Sequence, residues 1–136
     1  MTELSAGKLY HETAFRHLLN NEASRSQRSG LAYHVLLFSR DTADGKRMPL
    51  DAKVAVSVTK VLKKCLRDTD YIGWYRDGRV MGGVLTAMGK EFGADHIEDL
   101  TSRIVDMLCS ELGEKEVEDF QIDIFSADKW AAGADQ

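Results

Sequence analysis

Between Tyr10 and Arg28 the apolar residues Ala14, Phe15, Leu18 and Leu19 recur at helical spacing among charged ones, which predicts a first helix with one buried stripe. Ser29-Gly30 ends it, since glycine takes the left-handed conformation at a helix C-terminus without penalty. Leu31–Phe38 is a nearly continuous apolar run with β-branched and aromatic members, too short for a helix. It predicts a central strand covered on most of both faces. Ser39–Pro49 is polar, holds Asp44-Gly45 and the only proline, and reads as a loop. Asp51 is placed to cap a second helix whose buried stripe is Val54, Val58, Val61, Leu62, Cys65 and Leu66. Its many valines mean that packing, not propensity, must hold it.

Tyr71–Arg76 and Arg79–Thr86 are strand-like runs separated by Asp77-Gly78, a tight-hairpin signal. Ala87–Ala94 reads as a glycine-containing loop. Asp95 and Glu98 then open a third helix as a capping-box-like pair, with Ile97, Leu100, Ile104, Met107 and Leu108 as its stripe and Gly113 as its stop. Phe120, Ile122 and Ile124 alternate along a last strand, Phe120–Phe125. The expected fold is therefore α+β: a first helix, then strand-helix-strand-strand-helix-strand, the ferredoxin-like pattern of a four-stranded antiparallel sheet with helices on one face. Residues 1–9 read as an N-terminal tail, 10–126 as the domain and 127–136 as a frayed C-terminal tail. Gly82-Gly83, inside the hairpin's second strand, marks a bulge or a close backbone approach.

Composition narrows the function classes. A length of 136 residues fits one domain with a real core, and the net charge of −4 argues against a nucleic-acid binder, which needs a concentrated basic face. The chain contains neither an apolar run long enough for a membrane span nor a signal-like N-terminus, so the expected location is cytoplasmic. Cys65 and Cys109 lack metal-ligand neighbours and read as reduced, half-buried thiols. His11, His17, His34 and His96 have no metal-like spacing. Trp74, Tyr75 and Trp130 read as core or partly buried aromatics, with a contact surface as the alternative. Glu111–Asp119 reads as a solvated turn.

Two stretches resemble one family. Phe15, Leu19, Glu22, Arg25 and Arg28, followed by Gly30 and the apolar strand, match the opening helix of GGDEF domains, the fold of the bacterial diguanylate cyclases. Leu66-Arg67-Asp68-Thr69-Asp70 then resembles the family's LRxxD segment, which leads into the hairpin that bears its signature. The similarity spans roughly residues 10–126 and implies a GGDEF-type sheet with an added N-terminal helix. In that family carboxylates at the end of the first strand and at the hairpin tip hold two metal ions against the triphosphate of GTP. Aligned here, the strand-end Asp becomes Ser39, and the five signature positions become Arg76, Asp77, Gly78, Arg79 and Val80. Arg79, a cation, stands where the essential Glu would bind magnesium. The loop after the first strand is about five residues shorter than usual and lacks the Asn that reads guanine, a change that surface loops accept. Asp51 matches a second guanine-reading position but is fully explained as a helix cap. The resemblance therefore implies a degenerate domain with no catalytic residues, no metal and no cofactor.

What survives is the family's inhibitory site for cyclic di-GMP, an Arg-x-x-Asp motif before the hairpin completed by an arginine of the next helix. Arg67, Asp70 and Arg103 stand at those positions. Guanidinium forks bind phosphate and guanine bidentately, and a carboxylate accepts from guanine N–H groups. Without the resemblance, Arg67 is a helix C-terminal cation, Asp70 a turn residue before a strand, and Arg103 a solvated helix position. The reading favoured is a non-catalytic regulatory or protein-interaction module, in its specific form a cyclic di-GMP receptor. Two rivals stand beside it. One is a divergent metal-dependent nucleotide-binding enzyme using Asp41 or Asp77; the other is a structural domain with a protein partner or a homodimer interface at the hairpin aromatics and the Gly82-Gly83 pair.

Overall fold

A computed structural model describes residues 9–88 and 93–130, the side chains of residues 87 and 88 excepted. The strands are β1 (Leu9–Tyr10), β2 (Ala32–Asp41), β3 (Arg47–Met48), β4 (Tyr71–Arg76), β5 (Val80–Met88) and β6 (Phe120–Ser126). The helices are α1 (Glu12–Ser29), α2 (Ala52–Cys65), α3 (Ala94–Leu112) and a single turn, α4 (Ala127–Lys129). The four long strands lie antiparallel in the spatial order β4-β5-β2-β6, the ferredoxin-like arrangement. β1 adds in parallel to the outer edge of β4, and β3 pairs with Arg40 and Asp41 at the end of β2.

Helices cover both faces of this sheet, not one. Strand alternation divides β2: Leu36 and Phe38 face Val54, Val58, Val61 and Leu62 of α2 and Leu100, Ile104 and Leu108 of α3. Tyr33 and Val35 face the other way, with Val80, Val84 and Tyr75, into a second core closed by Phe15 and Leu19 of α1. The continuous apolar run of β2 is thus explained by burial on both sides.

The close approach of α1 depends on two glycines. Gly73 and Gly82 are directly paired across β4 and β5, and the Phe15 ring lies on them. A Cβ at Gly82 would stand 2.7 Å from Phe15 Cζ, and one at Gly73 would stand 2.6 Å from the Tyr10 carbonyl oxygen. Gly82-Gly83 therefore marks a close approach; the β4–β5 register shift falls between Trp74 and Arg76 instead.

Several expected boundaries move. The polar stretch after residue 38 carries β2 on to Asp41 and contains β3, so it is not wholly a loop. The hairpin turn has three residues rather than two: Arg79 belongs to it, and pairing resumes between Arg76 and Val80. Its bend is closed by Arg79 N–H to the Arg76 carbonyl at 3.0 Å, with Gly78 at φ 75°. The strand that follows runs on to Met88, into the expected loop, and residues 89–92 lie outside the described ones. The third helix is capped by Gly93, whose N–H donates to His96 Nδ1 at 3.4 Å, rather than by Asp95 and Glu98. Leu9, assigned to a tail by pattern, pairs with Ile72, and the rest of that tail (1–8) lies outside the described residues. At the other end Trp130 meets Tyr75 edge-on at 5.5 Å, so the chain stays packed past residue 126; residues 131–136 are outside the described ones. Glu116 and Asp119, in the stretch read as a solvated turn, pair with Arg40.

Phe15→Ala should destabilise the domain by about 3–5 kcal/mol, and Gly82→Ala by about 1–3 kcal/mol through overpacking against a fully buried ring. In denaturant melts the double variant should lose less than the sum, because removing the ring frees the space the new methyl needs. Additive losses would show that the ring and the glycine pair are uncoupled.

Candidate functional site

Two regions bear on function: the hairpin tip with the end of β2, and a cleft at the opposite end of β4 and β5. At the tip, Asp51 caps α2 by accepting from Val54 N–H at 2.9 Å, and Leu50 N–H donates to the Gly78 carbonyl at 2.8 Å. The Asp77 N–H donates to Glu12 Oε1 at 2.7 Å. The turn's Asp77 amide and Gly78 carbonyl are thus taken by the chain itself, the amide by the Glu12 carboxylate. Ser39 is a buried residue inside β2, paired with Val80 and Gln121. Arg76 and Arg79 are exposed, the Arg76 guanidinium lying 5.3 Å from the Tyr75 ring centre. Asp41 is bound to Arg47, whose Nε stands 2.9 Å from its Oδ1. Among the described residues no three His, Cys, Asp or Glu side chains converge as a metal site would require.

The second region brings Arg67, Asp70 and Arg103 together. They line one open cavity of about 470 Å³, floored by Leu66, Leu85 and Leu100. That volume lies within the roughly 300–1,000 Å³ of ligand clefts. α2 ends at Cys65 and β4 begins at Tyr71, so the connecting turn holds Arg67 and Asp70, while Arg103 projects from the middle of α3.

The three residues are not equivalent. The Asp70 side chain is 1% exposed, and its carboxylate organises the turn. Oδ2 accepts from Arg67 N–H at 2.9 Å; Oδ1 accepts from Thr86 N–H at 3.0 Å and from the Thr86 hydroxyl at 3.4 Å. The Asp70 N–H in turn donates to the Arg67 carbonyl at 2.9 Å. Burying a carboxylate is costly unless it is hydrogen-bonded, and these contacts meet that need from within the chain. Asp70 is thus a structural clasp between the turn and β5. The Arg67 side chain, 53% exposed, is braced by Asp70 Oδ1 at 3.4 Å and by the Thr86 carbonyl. Arg103 is exposed. Burial pushes the Cys65 thiol pKa up, while the positive charge of the Arg103 guanidinium pulls the other way.

His96 and Asp99 also line this cleft and were missed in the sequence. The signal was present: His96, Asp99 and Arg103 are spaced three and four residues apart on one helix, so they share a face. By sequence alone His96 reads only as a histidine without metal-like spacing.

No family model matches the chain, and no curated protein matches it by sequence. Solved structures do. A DGC protein from Thermotoga maritima superposes with a TM-score of 0.62 at 17% identity, over 89% of this chain and 82% of that one. The diguanylate cyclase SiaD from Pseudomonas aeruginosa, solved with its activator SiaC, gives 0.66 at 16% identity over 98% of this chain, which spans 55% of SiaD's. The GGDEF domain of DgcB from Caulobacter crescentus, solved in complex with c-di-GMP, gives 0.59 at 10% identity over 91% of this chain and 76% of that one. The chain has the fold of the GGDEF domains of diguanylate cyclases.

Proposed function

We propose that this chain is a non-catalytic regulatory module of GGDEF type that binds cyclic di-GMP in the cleft between the α2–β4 turn and α3. The observation that carries the reading is that Arg67 and Arg103, 36 positions apart in the sequence, share one cavity with an apolar floor. Two guanidinium groups over leucine side chains suit a ligand with phosphates and flat purine rings. In this reading Arg67 and Arg103 are the direct ligand contacts. Asp70 positions Arg67, and Asp99 is the carboxylate open to accept from guanine N–H groups. The complex of the DgcB GGDEF domain with c-di-GMP supports the ligand class.

Loss of catalysis belongs to the same proposal. Arg79 replaces an acidic ligand, Ser39 replaces the strand-end carboxylate, and the turn's Asp77 amide is held by Glu12. Of the rival's metal ligands, Asp41 is paired with Arg47, and among the described residues Asp77 belongs to no cluster of three His, Cys, Asp or Glu side chains.

Calorimetric titration with cyclic di-GMP should give micromolar binding. Arg103→Ala should weaken it at least about tenfold, the effect of losing a charged hydrogen bond of about 1.5–3 kcal/mol. Arg67→Ala should do the same, with little change in thermal stability for either. Asp70→Asn, in contrast, should lower stability along with affinity, because it disturbs the clasp. No heat from the wild-type protein, or binding untouched by both arginine variants, would reject the receptor reading.

With GTP and magnesium the protein should release no pyrophosphate and form no cyclic di-GMP on a timescale of hours. Turnover that falls when Asp41 or Asp77 is changed to Ala would reject the non-catalytic reading and support the metal-dependent enzyme.

A further inference from the structure

Helix α2 carries Lys53, Lys60, Lys63 and Lys64 and no acidic residue, in a chain whose net charge is −4. Beside the edge strand β1 it borders an apolar groove of about 500 Å³, floored by Leu9, Ala55, Val56 and Thr59. Lys60, Lys63 and Lys64 line the same groove. Val56 is 66% exposed, although a β-branched residue in mid-helix lowers helix propensity and here covers little. Lys60 pairs with Glu111 at 3.3 Å. Lys63 and Lys64 have no carboxylate partner among the described residues. An apolar floor with uncompensated positive charge along one side is therefore a built feature of this surface.

We propose that the groove docks an acidic amphipathic helix from a partner protein. Its apolar residues, one turn apart, would lie along Leu9, Ala55 and Val56, and its Asp or Glu side chains would face Lys60, Lys63 and Lys64. Charge complementarity selects this occupant. The concavity disfavours a lipid surface, which would touch the lysines and leave the floor uncovered. A second copy is disfavoured because its acidic helix, α3, turns Leu100, Ile104 and Leu108 into its own core and leaves Val105 alone exposed among its large apolar side chains. Cys65 in the last turn of α2, and Leu66 and Arg67 just after it, line the arginine cleft. The groove and that cleft thus share a helix, but the docking proposal stands apart from what the cleft binds.

The test uses two synthetic helical peptides of about five turns with the same leucine stripe, one flanked by Glu and the other by Lys. Each is titrated into the isotopically labelled protein while backbone amide signals are followed. The acidic peptide should shift Val56, Thr59 and Lys63 and bind in the micromolar range. Binding should weaken about tenfold or more in the Lys63→Glu, Lys64→Glu double variant and in Val56→Asp, and it should fall with salt. Val56 is exposed, so Val56→Asp should leave thermal unfolding nearly unchanged, while the charge-reversed pair, in the last turn of α2, should lower it slightly through the helix dipole. The proposal is overturned if the acidic peptide leaves those signals unmoved, binds the variants equally well, or binds no better than the basic peptide. It is also overturned if the groove signals move with protein concentration alone, which would mark self-association, or if they respond only to anionic vesicles.

Discussion

A strand with no wet face sets the plan of this molecule. From Tyr33 to Ser39 every residue of β2 except the half-buried Leu37 is buried, so both faces of the sheet must be covered. α2 and α3 cover one face and α1 the other, and neighbouring details follow from that need. A single helix can cover its face only by lying close to it, which the Gly73–Gly82 pair permits by leaving room for Phe15. Once α1 is seated, its first turn reaches the hairpin and Glu12 takes the Asp77 amide. A packing demand in the core thus ends by occupying an amide at the tip of the hairpin.

At the other end of the hairpin a buried charge plays the corresponding role. Asp70 satisfies its carboxylate with the Arg67 and Thr86 amides, which joins the α2–β4 turn to β5 and sets where the Arg67 guanidinium leaves the surface. α3 packs against α2 on the same face and brings Arg103 opposite. The cleft is a by-product of the fold in its apolar floor, and specific in its two arginines. Its electrostatics are mixed, since Asp99 stands in the same wall, so it suits a ligand carrying both acceptors and donors more than a bare anion.

The parts of this arrangement most legible in the sequence are those governed by period and by local turn chemistry. The stripes of α2 and α3, the alternation of Phe120, Ile122 and Ile124, and the cap by Asp51 depend on neighbours within a few residues. The Arg67–Asp70 turn was readable as a motif and also as a plain turn, and Asp70 fulfils the second description. Less legible were features set by partners far along the chain. Pattern could not tell that α1 covers the opposite face, because a buried stripe does not say which surface buries it. The two-residue strands β1 and β3 are too short to carry a period. The role of Gly73 depends on Phe15 and Tyr10, more than fifty positions away in sequence. The capture of Asp77 by Glu12 joins two polar residues with no pattern linking them.

The central proposal is that cyclic di-GMP binds in the arginine cleft and not at the hairpin tip. Backbone amide signals of the labelled protein, followed during titration with cyclic di-GMP, test it most directly. The account predicts shifts concentrated at Leu66, Arg67, Asp99 and Arg103, with Asp77, Gly78 and Arg79 unmoved. Shifts centred on the hairpin tip, or no shifts at saturating ligand, would contradict it.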